Sequence, residues 1–117
     1  MKKYIMIEGI ILIALSILPF SVSTVASEED IVRMQGSIMS VDAKNNIMVV
    51  NEKTFTWNQS TIFNNDKGSQ IGIDKFTSKS WVFIEGKRGG QYIVIEKIYL
   101  LPKHVDYKER YLYPFMQ

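Results

Sequence analysis

The sequence predicts an all-β domain, and three observations support that prediction. After an acidic start at residues 27–30, the chain consists of short runs of β-branched and aromatic residues that are separated by Asn, Asp and Gly. Apolar residues do not recur with a helical period over any convincing length. A Gly89-Gly90 pair stands between the last two runs, and a glycine pair in that position is typical of a β-hairpin turn.

The first two runs are predicted to form an antiparallel pair. Residues 31–41 contain Gly36, and a glycine inside a strand indicates a bulge or a sharp bend. The run ends at residues 42–46, whose Asp and Asn side chains bond to the nearby main chain and favour a turn. Residues 47–50 are continuously apolar and are predicted as the second strand.

The third run, residues 54–57, alternates hydroxyl-bearing and aromatic side chains. This period of two predicts a half-buried strand in which Phe55 and Trp57 face inward, and it completes a three-stranded meander. The stretch that follows is more polar, with a turn over residues 64–68 and a single helical turn near residues 71–76.

The last two runs are predicted to pair across Gly89-Gly90 as a two-residue turn, with Ile84 opposite Ile95. One face then carries the core residues Val82, Ile84, Ile93 and Ile95. The opposite face, called the Trp81 face below, carries Trp81, Phe83, Glu85, Lys87, Tyr92 and Val94. Pro102 has no amide hydrogen to donate and therefore ends the last strand.

Five strands within about seventy residues, with a helical turn between the third and the fourth, give the order expected of a small five-stranded OB-like barrel. An open antiparallel sheet or a sandwich of similar strands is the alternative. The barrel domain is predicted over residues 31–101, and a C-terminal tail follows over residues 102–117.

Residues 1–26 have the pattern of a cleaved signal peptide. Lys2 and Lys3 form a basic head, residues 10–20 form an apolar run, and small residues precede Ser27. The run offers roughly ten to thirteen usable apolar residues, against the ~20 that a membrane-spanning helix needs. A cleaved leader is therefore favoured over a retained anchor, and the mature protein is expected in the periplasm or outside the cell.

Several positions together resemble a family of short secreted bacterial β-barrel domains of unknown function. The positions are Gly36, Ile38, Val41-Asp42, Ile47 to Asn51, Ser60-Thr61, Phe63, Trp81 to Gly86, Ile95 and Ile98. The likeness covers roughly residues 34 to 100 and consists of glycines and β-branched residues rather than reactive groups. It implies an OB-like barrel in the cell envelope and brings no catalytic residues.

Composition and spacing argue against an enzyme, a metal site or a cofactor. The chain has no cysteine, and its single histidine, His104, has no serine nearby in the sequence. Glu85 and Glu96 are predicted to be diagonal neighbours on a solvated face. The turns at residues 42–46 and 64–66 each offer one carboxylate beside a lysine, which is typical of ordinary turns rather than calcium sites. No catalytic residue is therefore predicted.

Two surfaces are candidates for binding. The first consists of four residues on the Trp81 face, namely Trp81, Phe83, Lys87 and Tyr92. OB barrels bind single strands by stacking bases on such aromatics. A protein or glycan partner is favoured over nucleic acid as the explanation of this face, and cover by the chain's own N-terminal segment or tail is favoured over both. The formal net charge of only +2 gives no bulk attraction to nucleic acid or to an anionic membrane.

The tail supplies the second candidate surface, with Tyr107, Tyr111, Tyr113 and Phe115. Pro114 prevents a long helix, so the tail is predicted as an appendage rather than a strand. Four aromatics within so short a segment either pack back on the barrel or bind a partner. If they serve a partner, a chain truncated after Lys103 is expected to keep most of its stability.

The sequence therefore predicts a non-enzymatic exported envelope domain that binds or scaffolds another protein or a glycan. The alternative is an OB-type barrel that binds single-stranded nucleic acid. Replacing Trp57, as an inward residue, with Ala is expected to cost roughly 3 to 5 kcal/mol. Replacing Trp81 is expected to cost much less if its face is a binding surface.

Overall fold

The computed structural model describes residues 30–117, and the signal peptide predicted at residues 1–26 lies outside these described residues. The strands are β1 (Ile31–Asp42), β2 (Ile47–Val50), β3 (Lys53–Thr56), β4 (Ile62–Asn64), β5 (Trp81–Gly89) and β6 (Tyr92–Leu101). Short 3₁₀ helices span Ile73–Lys75, Tyr107–Leu112 and Pro114–Met116. The described helices include none that is long and apolar enough to cross a membrane.

Five of the strands close into a ring. The long strand β1 pairs with β5 over residues 31–37 and with β2 over residues 38–42, so its two halves have different partner strands. β2 pairs with β3, β3 lies parallel to the start of β6, and β6 returns antiparallel to β5. The predicted five-stranded OB-like barrel is confirmed. The short strand β4, which was not predicted, pairs in parallel with the later part of β6.

Gly36 lies where β1 passes from one partner strand to the other. A Cβ atom at this position would come within 2.7 Å of the Val50 side chain and within 2.8 Å of the Asn51 side chain. The glycine is therefore required by the close approach of β1 to the end of β2. The bulge itself lies between Ile38 and Ser40, where the register of β1 against β2 shifts.

The turns follow from residues that tolerate a left-handed backbone. Asn46 ends the β1–β2 turn with a φ of 57°, and the β2–β3 turn uses Asn51 and Glu52 at φ of 48° and 67°. Gly68, at a φ of 83°, forms the predicted turn after β4, where the Asn65 side chain accepts hydrogen bonds from two backbone amides. The predicted helical turn is the 3₁₀ helix before β5.

The β5–β6 turn lies one residue further along the chain than predicted. The structure pairs Gly89 with Tyr92, which leaves Gly90 and Gln91 as the two loop residues. Gly90 has a φ of 68°, and a hairpin turn of this length can place its positive φ at the first loop residue alone. The prediction of Gly89-Gly90 as the loop was therefore wrong.

A bulge in β6 changes the predicted register further. Gly86 is paired with Ile95, but Ile84 lies opposite Ile98, so Glu96 is an extra residue without a partner on β5. The expected pair of Ile84 and Ile95 is not formed. Because the bulge reverses the alternation, Ile95 and Ile98 both point inward although they are three positions apart.

The barrel encloses one hydrophobic core, called the inner cluster. Its buried members are Ile38, Met48, Val50, Phe55, Phe76, Val82, Ile84, Ile95 and Ile98. Phe55 faces inward as predicted and is fully buried. Trp57, just beyond the end of β3, is half-buried and packs on the margin of this cluster, with its ring 5.9 Å from that of Phe63 in an edge-to-face arrangement.

Candidate binding site on the C-terminal tail

The C-terminal tail packs against the outward face of β5 and β6. A second hydrophobic group, called the outer cluster, forms there from Phe83, Tyr99, Leu101, Val105 and Met116. Phe83 is only 4% exposed because residues of the tail lie over it. The tail thus covers the part of the Trp81 face around Phe83, and cover by the chain itself was one of the explanations that the sequence left open.

Hydrogen bonds from β1 hold both ends of the tail. The Gln35 side chain donates to the Val105 carbonyl at 3.0 Å and accepts from the Val105 amide at 2.6 Å. Arg33 donates to the Phe115 carbonyl at 2.7 Å and to the Glu85 carboxylate at 3.3 Å. The paired bonds of Gln35 satisfy a backbone amide and a carbonyl that no strand partner satisfies.

Aromatic rings form several of the contacts between the tail and the barrel. Phe115 stacks on Tyr99 with 3.8 Å between ring centroids and 3° between ring planes. It also contacts Phe83 at 5.9 Å and Tyr113 at 5.8 Å. At the other end of the cover, Trp81 meets His104 edge-to-face at 4.9 Å. These contacts bury apolar ring area and orient the tail.

The candidate residues of the Trp81 face do not form one open surface. Trp81 is half-buried against His104, and Phe83 is buried beneath the tail. Lys87 is exposed and lies 3.8 Å from the Glu96 carboxylate. Tyr92 is half-buried at the start of β6, and the Glu85 carboxylate lies 3.3 Å from the Arg33 guanidinium.

The aromatics of the tail divide into two groups. Tyr113 and Phe115 are half-buried and pack against the outer cluster. Tyr107 is 84% exposed, Tyr111 is 75% exposed and Leu112 is 56% exposed. These three residues, called the exposed strip, lie on the 3₁₀ helix Tyr107–Leu112. One side of the tail therefore covers the outward face of β5 and β6, and the other side exposes large apolar side chains to solvent.

A cleft of about 340 Å³, called the tail cleft, borders the exposed strip. Its lining consists of Tyr107, Lys108, Arg110, Tyr111, Met116 and Gln117. The Arg110 guanidinium lies over the Tyr107 ring at 5.9 Å, and the Gln117 side chain donates to the Arg110 carbonyl. Sequence reasoning missed Lys108 and Arg110 as site residues. The signal that could have identified them is the presence of two basic residues between Tyr107 and Tyr111.

The tail cleft differs in charge from two other clefts of similar size. One, of about 360 Å³, lies between the tail and the turn after β4 and is lined by both Asp66 and Lys67. The other, of about 340 Å³, lies beside β6 and is lined by both Glu96 and Lys97. The tail cleft has two cationic side chains and no carboxylate side chain in its lining. Within residues 30–117, no three His, Cys, Asp or Glu side chains group closely enough to hold a metal ion.

Comparison with solved structures found two proteins that align with this chain. The fimbrial biogenesis protein PilY2 from Pseudomonas aeruginosa PAO1 aligns with a TM-score of 0.50 and 16% identity, over 60% of this chain and 86% of PilY2. An Ag(I) form of CusF from Escherichia coli aligns with a TM-score of 0.46 and 13% identity, over 62% of this chain and 96% of CusF. No protein-family model and no curated protein matches the chain. The likeness to PilY2 concerns the fold alone, and membership of the secreted barrel family stays a prediction.

Proposed function

We propose that this chain is a non-enzymatic exported domain of the cell envelope that binds another protein through its C-terminal tail. The single observation that carries the proposal is the exposed strip of Tyr107, Tyr111 and Leu112 on a tail whose opposite side is buried. Tyr107 and Tyr111 line the same cleft, exposed groups of large apolar side chains mark interaction sites, and tyrosine is enriched in protein interfaces.

The anchoring of the tail adds to this argument. Val105 precedes the exposed strip, Met116 follows it, and both side chains are buried in the outer cluster. A segment held at both ends loses less conformational entropy on binding than a free tail does. The tail therefore suits a binding role better than an unanchored end would.

The proposed envelope setting rests on the signal-peptide pattern of residues 1–26. The fold neighbour PilY2 is itself a fimbrial biogenesis protein, which is compatible with that setting. We expect the intact mass of the exported protein to correspond to a chain that begins near Ser27. A mass that retains Met1 would contradict cleavage.

Capture of a partner tests the binding role. The immobilised exported protein is incubated with an envelope extract of its own host, and retained proteins are identified by mass spectrometry. The variant Tyr107→Ser/Tyr111→Ser should lose a partner that the original chain retains. Ile31→Ser is the matched control, because Ile31 is also exposed but lies on the barrel at the start of β1. Equal capture by all three chains would refute the role of the strip.

Two further binding measurements test the other ligand classes, namely nucleic acid and glycan. Binding to an immobilised thymidine oligonucleotide with a steep salt dependence would favour the single-stranded nucleic-acid alternative, since phosphate contacts release counterions. Retention on envelope polysaccharide in the absence of other proteins would favour a glycan. Either result, without a retained protein, would overturn the proposal of a protein partner.

A further inference from the structure

We propose that the tail cleft recognises a carboxylate side chain in an acidic segment of the partner protein. The inference rests on the proposed function, because the cleft borders the exposed strip through which the partner is proposed to bind. The Tyr107 and Tyr111 side chains line it together with the buried Met116. Its volume of about 340 Å³ is sufficient for one side chain of a docked peptide.

The charge of the tail cleft favours an anion. Lys108 and Arg110 both line it. Glu109 lies 3.4 Å from Lys103, and neither Glu109 nor Asp106 is part of the lining of the cleft. Lys108 and Arg110 form no ion pair with a residue that the structure describes, and complementary charge across an interface is a source of specificity.

Arg110 is the group best suited to bind the carboxylate. Its Nε atom is buried, yet it makes no hydrogen bond with any residue that the structure describes. Because a ligand cannot reach a buried atom, the contact is assigned to the two Nη groups at the end of the guanidinium. These two groups lie in a fixed plane and can match the two oxygens of a carboxylate.

Hydrogen bonds fix the main chain at Arg110 before a ligand binds. The Tyr113 amide donates to the Arg110 carbonyl at 2.9 Å, and the Gln117 side chain donates to the same carbonyl. The Tyr107 ring supports the guanidinium at 5.9 Å. Because the exposed strip adjoins the cleft, we expect the partner to carry apolar residues next to its acidic residue. A free inorganic anion has no apolar part that could contact the strip.

The test uses two synthetic peptides and the exported form of the chain. The acidic probe is the capped hexapeptide Glu-Leu-Glu-Phe-Glu-Leu, and its neutral counterpart replaces each Glu with Gln. Titration is followed by NMR at the Arg110 side-chain Nε–Hε resonance and by fluorescence anisotropy of labelled peptide. We expect the acidic peptide to shift this resonance in a saturable manner, and the neutral peptide to leave it unchanged.

Substitutions distinguish a specific contact from general charge attraction. Arg110→Gln should weaken binding of the acidic peptide about tenfold, because a charge-assisted bidentate contact is lost. Arg88→Gln removes the same charge from an exposed position outside the cleft, near the end of β5, and should leave the affinity unchanged. Arg110→Lys retains the charge without the planar pair of donors and should have an intermediate affinity. The Arg110→Lys variant keeps the test valid if Arg110→Gln does not fold.

Each contrary result overturns the inference. Equal loss of affinity in Arg110→Gln and Arg88→Gln, equal binding of the neutral peptide, or no shift of the Arg110 resonance would each do so. Tighter binding of a thymidine oligonucleotide or of phosphatidylglycerol vesicles than of the peptide would do the same. A natural partner that is lost from Tyr107→Ser/Tyr111→Ser but retained by Arg110→Gln refutes only the carboxylate contact and leaves the proposed function standing.

Discussion

The inner and outer clusters share two strands but are closed in different ways. Along β5, Val82 and Ile84 point into the barrel, whereas Phe83 between them points out beneath the tail. The inner cluster is mainly aliphatic and is enclosed by strands that hydrogen-bond around a ring. The outer cluster is rich in aromatic rings, and an irregular tail with two 3₁₀ helices covers it.

The difference shows how a small barrel can gain an additional surface. A closed ring satisfies its own backbone, so its interior needs only side chains that fill a fixed volume. The outward face of β5 and β6 carries the apolar residues Phe83, Tyr99 and Leu101, and the tail that covers them has a second, exposed side. That second side carries Tyr107 and Tyr111. The apolar outer face thereby anchors an exposed binding candidate.

The largest loss of stability should follow truncation of the inner cluster. Phe55 is fully buried, and Phe55→Ala should lower the free energy of unfolding by about 4 kcal/mol, because the closed ring cannot collapse onto the cavity. The half-buried Phe115 is the outer counterpart, and Phe115→Ala should cost about 2 kcal/mol. Urea unfolding midpoints measure both values. A larger loss in Phe115→Ala would reverse the proposed ranking of the clusters.

Truncation after Lys103 removes the cover of the outer cluster. Val105 and Met116 are buried in the full chain, so the earlier expectation that truncation leaves most of the stability intact is revised. We expect a loss of about 3 kcal/mol, with β-type circular dichroism retained because the ring strands remain. The truncated chain should also bind a hydrophobic dye through the uncovered Phe83. A spectrum of unfolded chain would mean that the barrel depends on its tail.

Replacing each of the two tryptophans tests how much packing at the margin of each cluster contributes to stability. Trp57 packs against the inner cluster beside Phe63, and Trp81 packs against the outer cluster beside His104. Because both are only half-buried, Trp57→Ala should cost about 3 kcal/mol and Trp81→Ala about 2 kcal/mol. Chemical denaturation followed by the fluorescence of the remaining tryptophan distinguishes the two losses. A negligible loss in Trp81→Ala would contradict the cover by the tail.

Gln35 tests how far hydrogen bonds contribute to the cover. Its side chain bonds to both the amide and the carbonyl of Val105, and Gln35→Ala should therefore cost about 2 kcal/mol. Gln59→Ala is the control, because Gln59 is exposed in the turn before β4. Hydrogen exchange at the Val105 amide should become faster in Gln35→Ala only. Unchanged exchange would mean that ring packing alone holds the tail.

The sequence predicted the ring because its signals are local. Alternation on β5, the turn at residues 42–46 and the inward position of Phe55 each depend on neighbouring residues, and the structure confirms them. The β6 register was not predictable in this way. The bulge at Glu96 adds a residue to one strand only, and Ile95 and Ile98 are then both buried without a period of two.

The candidate site was predictable only in part. The number of aromatics in the tail indicated that it would either pack or bind, but not which residues would do each. The division depends on β1 side chains far away in the sequence, since Gln35 and Arg33 fix the path of the tail. The positions of Tyr99 and Leu101 in the outer cluster were likewise not predictable, because the bulge in β6 determines the face on which each of them lies.

The smallest effect on stability, and the largest on binding, should come from the exposed strip. Tyr111 is 75% exposed, so Tyr111→Ser should change the free energy of unfolding by no more than about 0.5 kcal/mol. The half-buried Tyr113, two residues further on, packs against the outer cluster, and Tyr113→Ser should cost clearly more. Partner capture should follow the opposite order and fail in the stable Tyr111→Ser chain. If Tyr111→Ser retains the partner while Tyr113→Ser loses both stability and partner, then the tail acts only as cover, and binding occurs elsewhere on the barrel.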